Sequence, residues 1–125
     1  MRTITTIALM VVRLFGIILL VLGALFWTGN ALQLVATHML LGVLFVLALW
    51  TLSGIGAATR QAGGLVASGF IWGIVVLAFG MMQQSLMPGS AHWVIRVLHL
   101  LIGLIAMGLG ERLGAGIKRS QATTV

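Results

Sequence analysis

The chain has 125 residues, of which 61% are hydrophobic and only 6% are charged, and its mean hydropathy is +1.22. Because a soluble domain carries about a quarter charged residues, this composition excludes a soluble fold and indicates a single unit embedded in lipid. There is no cysteine, which excludes disulfides and thiolate metal sites, and the net charge of +6 does not indicate nucleic-acid binding, because the basic residues lie at the ends of apolar runs.

Four long apolar runs follow one another along the chain. Each is close to the ~20 residues that a helix needs to cross a bilayer. Lipid permits only helices or closed barrels, and these runs lack the polar–apolar alternation of barrel strands. We therefore predict an all-α membrane protein, a four-transmembrane-helix bundle forming one domain over 1–125, with helices over approximately 8–28, 33–57, 64–84 and 91–113.

The charges between the runs predict the orientation of the chain. The first and third connectors contain no charged residue. Five basic residues lie at the N-terminus, in the second connector and towards the C-terminus: Arg2, Arg60, Arg112, Lys118 and Arg119. Since Lys and Arg accumulate on the cytoplasmic side, we expect both termini in the cytoplasm. The chain is then a multi-pass protein of the cell membrane, and we take that membrane to be a bacterial inner membrane.

The two halves of the chain resemble each other. "FGIILLVLG" (15–23) aligns with "WGIVVLAFG" (72–80) at an offset of 57, and "HMLLG" aligns with "HLLIG" at an offset of 61. The aligned pairs are Gly16 with Gly73, Gly23 with Gly80, His38 with His99, and Gly42 with Gly103. This pattern predicts two helical hairpins related by a pseudo-two-fold axis along the membrane normal.

The repeat predicts that two histidines face each other inside the bundle. The axis would place His38 and His99 at equal depth on the second and fourth helices, which is the arrangement that a bis-histidine b-type haem needs. Glycines on all four helices would leave room for a flat macrocycle: Gly42 and Gly103 one turn from the histidines, and Gly23 and Gly80 at about the same depth on the other two helices. The alternative is that these glycines only let helices approach closely.

A polar stripe runs along the fourth helix. His92, Arg96, His99 and Gly103 follow a helical spacing, with Arg96 about 4.5 Å and His92 about 10 Å along the axis from His99. The only acidic residue, Glu111, belongs at the other membrane face. We therefore expect Arg96 to meet an external anion, such as a haem propionate supported by His92, or else to extend to the outer headgroups.

Other uses of the polar residues are less consistent with their spacing. Zinc needs ligands that converge, whereas His92 and His99 are two turns apart on one helix. A second haem on His92 would need a methionine as its other ligand, from among Met81, Met82 and Met87. Arg13 is expected to extend to the cytoplasmic interface, with Glu111 as an alternative ion-pair partner.

The paired histidines in "HMLLG" and "HLLIG", together with the four-helix architecture, resemble the four-helix transmembrane cytochromes of b type. The resemblance implies haem b, with His38 and His99 as its axial ligands, and electron transfer. Members of that family with two haems carry more histidines at wider spacing, so only these two ligands are carried over.

The sequence thus favours a small membrane haem protein that passes electrons to a quinone or a membrane redox partner. Polar residues for such a partner are Gln33, Gln83, Gln84 and His92. A cofactor-free accessory subunit of a larger complex and a pigment-binding subunit remain alternatives, as does a homo-oligomer. Classical hydrolytic catalysis is not expected, because no carboxylate lies beside any histidine.

Overall fold

Four long helices make up most of residues 1–123, the part of the chain that the computed structural model describes. Their bounds are α1 Arg2–Trp27, α2 Val35–Ala58, α3 Gly63–Met82 and α4 His92–Thr123, and a short 3-10 turn, Leu32–Leu34, leads into α2. Each long helix is long and apolar enough to cross a membrane. The predicted four-helix fold is therefore confirmed, and the last two residues of the predicted domain lie outside the described range.

Two helices are longer than the apolar runs predicted. Helix α1 begins at Arg2 instead of residue 8, and α4 continues to Thr123 instead of ending at residue 113. The prediction took only the apolar runs as helix. A helix can extend beyond such a run when its polar residues find hydrogen-bond partners or are buried. In α1, for example, the Thr5 side chain is completely buried.

Polar contacts bring both chain termini to one end of the bundle. The Arg2 guanidinium donates a hydrogen bond to the Gln121 carbonyl, and the Gln61 amide donates to the Ser120 hydroxyl at 2.8 Å. We call this the terminal end; it also holds the α2–α3 connector, 59–62. The opposite end, with connectors 28–34 and 83–91, is the histidine end.

Helices α2 and α4 form the central pair of the bundle. Helix α1 packs against both of them, and α3 packs against both from the other side. Helices α2 and α4 also contact each other across the diagonal, whereas α1 and α3 do not touch within residues 1–123. Side chains on α2 and α4 can therefore meet at the bundle axis.

The tightest packing lies in the terminal half. Helices α1 and α4 approach closely there because Gly110 and Gly114 present no side chain: a Cβ at Gly110 would lie 2.8 Å from Val12 Cγ1, and one at Gly114 would lie 2.9 Å from Leu9 Cδ1. Small residues four positions apart promote this kind of approach in lipid. Completely buried side chains of α2 and α4 fill the space beside them: Leu49, Leu52, Leu113 and Ile117.

The histidine half is packed more loosely. It comprises residues 17–27, 35–44, 74–82 and 92–105 of the four helices, and among these described residues only Leu22 and Ile95 are buried. Both predicted haem ligands lie in this half.

Candidate functional site

His38 and His99 lie side by side in the histidine half of the bundle. His38 projects from the first turns of α2 and His99 from the second turn of α4, and each side chain is partly buried. Their ring centroids are 6.2 Å apart, and the ring planes are inclined by 43°. The two histidines that the repeat pairs in sequence are therefore neighbours in space, on the diagonal helices that the prediction named.

Gly23 and Gly80 each lie beside one of the two histidine rings. A Cβ at Gly23 would lie 4.0 Å from His38 Cε1, and one at Gly80 would lie 3.5 Å from His99 Cε1. Each contact joins the two helices of one hairpin, so the equivalent residues of the two halves make equivalent contacts. This correspondence is the strongest structural support for the internal repeat.

One nitrogen of each imidazole has no hydrogen-bond partner. The Nδ1 atoms of His38 and His99 are buried, and neither bonds to any group within the described residues. Aromatic rings lie beside them instead: Phe26 is edge-on to His38 at 5.4 Å, and Phe79 is stacked on His99 at 6.0 Å. Buried polar atoms are nearly always paired, so two unpaired nitrogens in one cluster call for an explanation.

Open space lies next to the histidine pair. Gly42 and Gly103 are one turn from the histidines towards the terminal end, and a Cβ at either position would meet no atom within 4 Å. Together with the loose packing of the histidine half, this leaves room on α2 and α4 beside the rings.

Arg96 and His92 lie on the same helix as His99, nearer to the histidine end. The Arg96 side chain is exposed and makes no hydrogen bond or ion pair within residues 1–123. His92 Nδ1 lies 3.2 Å from the Leu86 carbonyl oxygen, so this ring contacts the α3–α4 connector. Arg96 and His92 therefore lie at the histidine end, and among the predicted site residues a ring–ring contact joins His38 and His99.

Two tryptophan hydrogen bonds tie α3 to its neighbours, and sequence reasoning missed both. Trp72 Nε1 donates to the Ile102 carbonyl at 2.9 Å, one turn from His99, and Trp50 Nε1 donates to the Phe70 carbonyl at 3.1 Å. A buried indole N–H usually finds an acceptor, so the presence of these tryptophans indicates that each has a hydrogen-bond partner. The sequence alone does not identify which carbonyl accepts the bond.

The only acidic side chain of the chain pairs with Arg13. Arg13 Nε and Glu111 Oε1 are 2.6 Å apart, and Arg13 Nη2 donates to Glu111 Oε2 at 2.8 Å. The two side chains remain 55% and 43% exposed. The alternative partner that the sequence offered for Arg13 is therefore the one observed, in a bidentate pair on the α1–α4 face.

The spacing of the two rings can be compared with that of two imidazoles bound to one metal ion. No three His, Cys, Asp or Glu side chains converge in the part of the chain that the structure describes, so the two rings have no third ligand of these types. With metal–nitrogen bonds of about 2 Å, centroids are roughly 6.3 Å apart on opposite sides of a metal but about 5 Å apart on a tetrahedral ion. The observed 6.2 Å matches the opposed arrangement.

Comparisons with known proteins add no relative to this description. No family model matches the chain, and neither the curated proteins nor the solved structures include a match.

Proposed function

We propose that this protein binds one b-type haem between His38 and His99 and passes electrons within the membrane. The observation that carries the proposal is the separation of the two rings, 6.2 Å between centroids, on helices that meet across the bundle. Two imidazoles on opposite sides of one metal ion would have nearly this separation, whereas two on a tetrahedral ion would be closer together.

The surroundings of the rings support the same cofactor. A Cβ at Gly42 or Gly103 would meet no atom within 4 Å, and we propose that a planar macrocycle extends from the ring pair into the space at these two glycines. Gly23 and Gly80 leave space against the rings, because a Cβ at either position would already be in van der Waals contact with an imidazole and a longer side chain would compete with the ring for that space. Leaving two buried Nδ1 atoms without hydrogen-bond partners costs free energy. Ligation of a cofactor would explain why histidines stand at these positions, whereas packing alone would not.

The residues present define what the site would do chemically. Haem supplies one-electron redox chemistry when it is bound. His38 and His99 would both hold the haem iron, which favours electron transfer over oxygen binding. The apolar wall of Phe26 and Phe79 would exclude water from the rings. At the histidine end, exposed Arg96 and neighbouring His92 are the candidates to hold carboxylate groups or to receive a quinone or another redox partner.

The proposed orientation puts the histidine pair near the outer membrane face. His99 is seven residues into α4, about 10 Å from the histidine end, and the four cations of the terminal connector and the C-terminal part of α4 lie at or towards the other end. Since basic residues favour the cytoplasmic side, the termini would be cytoplasmic and the haem would exchange electrons near the opposite face of a bacterial inner membrane.

Absorption spectra of the purified protein test the proposal. We expect a Soret band that shifts on reduction and a low-spin bis-histidine spectrum, lost in His38→Ala and in His99→Ala. His92→Ala is the matched control, because it removes a histidine of α4 outside the ring pair and should keep the low-spin spectrum. Added imidazole should restore that spectrum to the single variants if they have lost only a ligand.

Two results would contradict the proposal. One is a colourless protein after expression with ample haem, with helix content unchanged by circular dichroism. The other is an equal spectral loss in the His92→Ala control.

A second candidate function is that of a cofactor-free subunit packed against a larger membrane complex. The exposed Arg13–Glu111 pair favours it, because lipid solvates charged side chains poorly and a neighbouring protein would cover them. A colourless chain that purifies together with a larger membrane partner would select this candidate.

A further inference from the structure

The terminal end carries more positive charge than its acidic groups can balance. The chain has seven Lys and Arg residues and one acidic residue, Glu111, which is bound to Arg13. Arg2 is engaged with the Gln121 carbonyl. The other basic residues of this half make no ion pair with a carboxylate among residues 1–123: Arg60, Arg112, Lys118 and Arg119. An anion from outside the chain would balance this charge.

A cleft at the terminal end is positioned to receive such an anion. It lies between the ends of α2 and α4, has a volume of about 270 Å³ and opens to the outside. Its lining residues are Ala58, Thr59, Arg60, Ser120 and Gln121. Arg60 is the cation of this cleft, and Lys118 and Arg119 precede Ser120 on α4.

The Arg60 side chain is not needed to cap α2. The backbone amide of Arg60 donates to the Ala57 carbonyl at 3.1 Å, and that of Gln61 donates to the Gly56 carbonyl at 2.8 Å. This backbone pattern satisfies the last carbonyls of the helix, with Arg60 in the left-handed conformation at φ 56°. Because the Arg60 side chain makes no hydrogen bond within the described residues, its guanidinium is available to a ligand.

The cleft lies close to the apolar outer surface of the bundle. Large apolar side chains are exposed within one or two turns of the terminal end, at Ile4 and Ile7 of α1, and we infer that the hydrocarbon region reaches this level. A phospholipid beside the bundle would therefore present its phosphate at the level of Arg60. Clusters of basic residues at this level attract anionic lipids.

We propose that this cleft binds the phosphate group of an anionic phospholipid, with Arg60 as its principal donor. The planar guanidinium can donate two parallel hydrogen bonds to a phosphate, and the nearby charges of Lys118 and Arg119 add to the attraction. The proposal concerns the opposite end of the bundle from the histidine pair and does not depend on haem.

Native mass spectrometry of the detergent-solubilised protein tests this site. We expect wild type to retain phosphatidylglycerol in preference to phosphatidylcholine, and Arg60→Gln to retain about five-fold less phosphatidylglycerol, as the loss of one basic residue near a membrane surface implies. Arg60→Lys should recover part of the binding through its charge. Arg96→Gln, which removes an exposed arginine at the histidine end, should bind like wild type.

The same experiment can overturn the proposal. Equal retention by wild type and Arg60→Gln, with both folded by circular dichroism, would show that the cleft is not the site. An equal loss in Arg96→Gln would indicate a general effect of charge. Displacement of the lipid by millimolar inorganic phosphate would identify free phosphate, and not a lipid headgroup, as the ligand.

Discussion

The two partly buried imidazoles of His38 and His99 lower the stability of the folded chain. A buried polar group without a partner costs about 1–3 kcal/mol, and here two such nitrogens lie in adjacent rings. Phe26 and Phe79 fill the space beside them but offer no lone pair. Apolar residues at the same two positions would avoid this cost, so stability alone does not account for the pair.

Gly80 should tolerate a methyl group but not a larger side chain. A Cβ there would lie 3.5 Å from His99 Cε1, which is an ordinary contact, whereas the further atoms of a leucine would run into the ring. We expect Gly80→Leu to lower stability by about 1–3 kcal/mol and to displace His99, while Gly80→Ala has little effect. Unfolding in detergent measures the change.

Gly108→Leu serves as the control for this prediction, because that position is exposed and a Cβ there meets nothing within 4 Å. If Gly108→Leu and Gly80→Leu were equally destabilising, the ring contact would not be the cause.

The sequence predicted the histidine pair but not the aromatic rings around it. The pair followed from the repeat, since equivalent positions around an axis lie at one depth. The aromatic contacts do not repeat: at the offset of 57, Phe26 corresponds to Gln83 and Phe79 to Leu22. The positions of the two phenylalanine rings depend on side-chain packing within each hairpin, and the sequence pattern does not specify that packing.

Between elements, the Arg13–Glu111 pair links α1 to α4 on the exposed face of the bundle, well away from its end. Arg13 is 11 residues beyond Arg2, about 16 Å from the terminal end. At that depth either charge alone would have to be solvated by lipid, so the two side chains depend on each other.

We expect Glu111→Gln and Arg13→Gln each to lower the thermal stability of the protein in lipid nanodiscs. The swapped double variant, Arg13→Glu with Glu111→Arg, should recover much of the loss, because opposite charges again meet across the α1–α4 face. Arg96→Gln has no ion pair to break within the described residues and should change stability little. A swapped variant no more stable than the single ones would show that the pair does not couple the helices.

Helix identity was predictable from hydrophobicity, and helix length was not. The apolar runs located all four helices, but they did not reveal that α4 continues to Thr123. That extension carries the buried Ile117 and the bond between Gln61 and Ser120, which are tertiary contacts. The hydrogen bonds of Trp50 and Trp72 escaped prediction for the same reason.

For the whole molecule, the distribution of charge predicts how the bundle lies across the membrane. The connectors at the histidine end contain no charged residue, whereas the terminal end gathers the cations. The chain contains no cysteine, so single cysteines can report the sidedness directly.

We expect Ser90→Cys, in the α3–α4 connector, to react with a membrane-impermeant maleimide in intact bacterial cells. Ala62→Cys, in the α2–α3 connector, should react only after the membrane is permeabilised. Both positions are exposed, so accessibility within the protein is matched. The reverse labelling pattern would refute cytoplasmic termini.

The unequal packing along the bundle implies an order of assembly. The terminal half can hold the four helices together through its own dense contacts. In the histidine half only Leu22 and Ile95 are buried among the described residues, so we expect the helices to separate there at a smaller free-energy cost. The haem proposed above would then enter sideways between helices that have already associated, in a late step that is reversible without unfolding the chain.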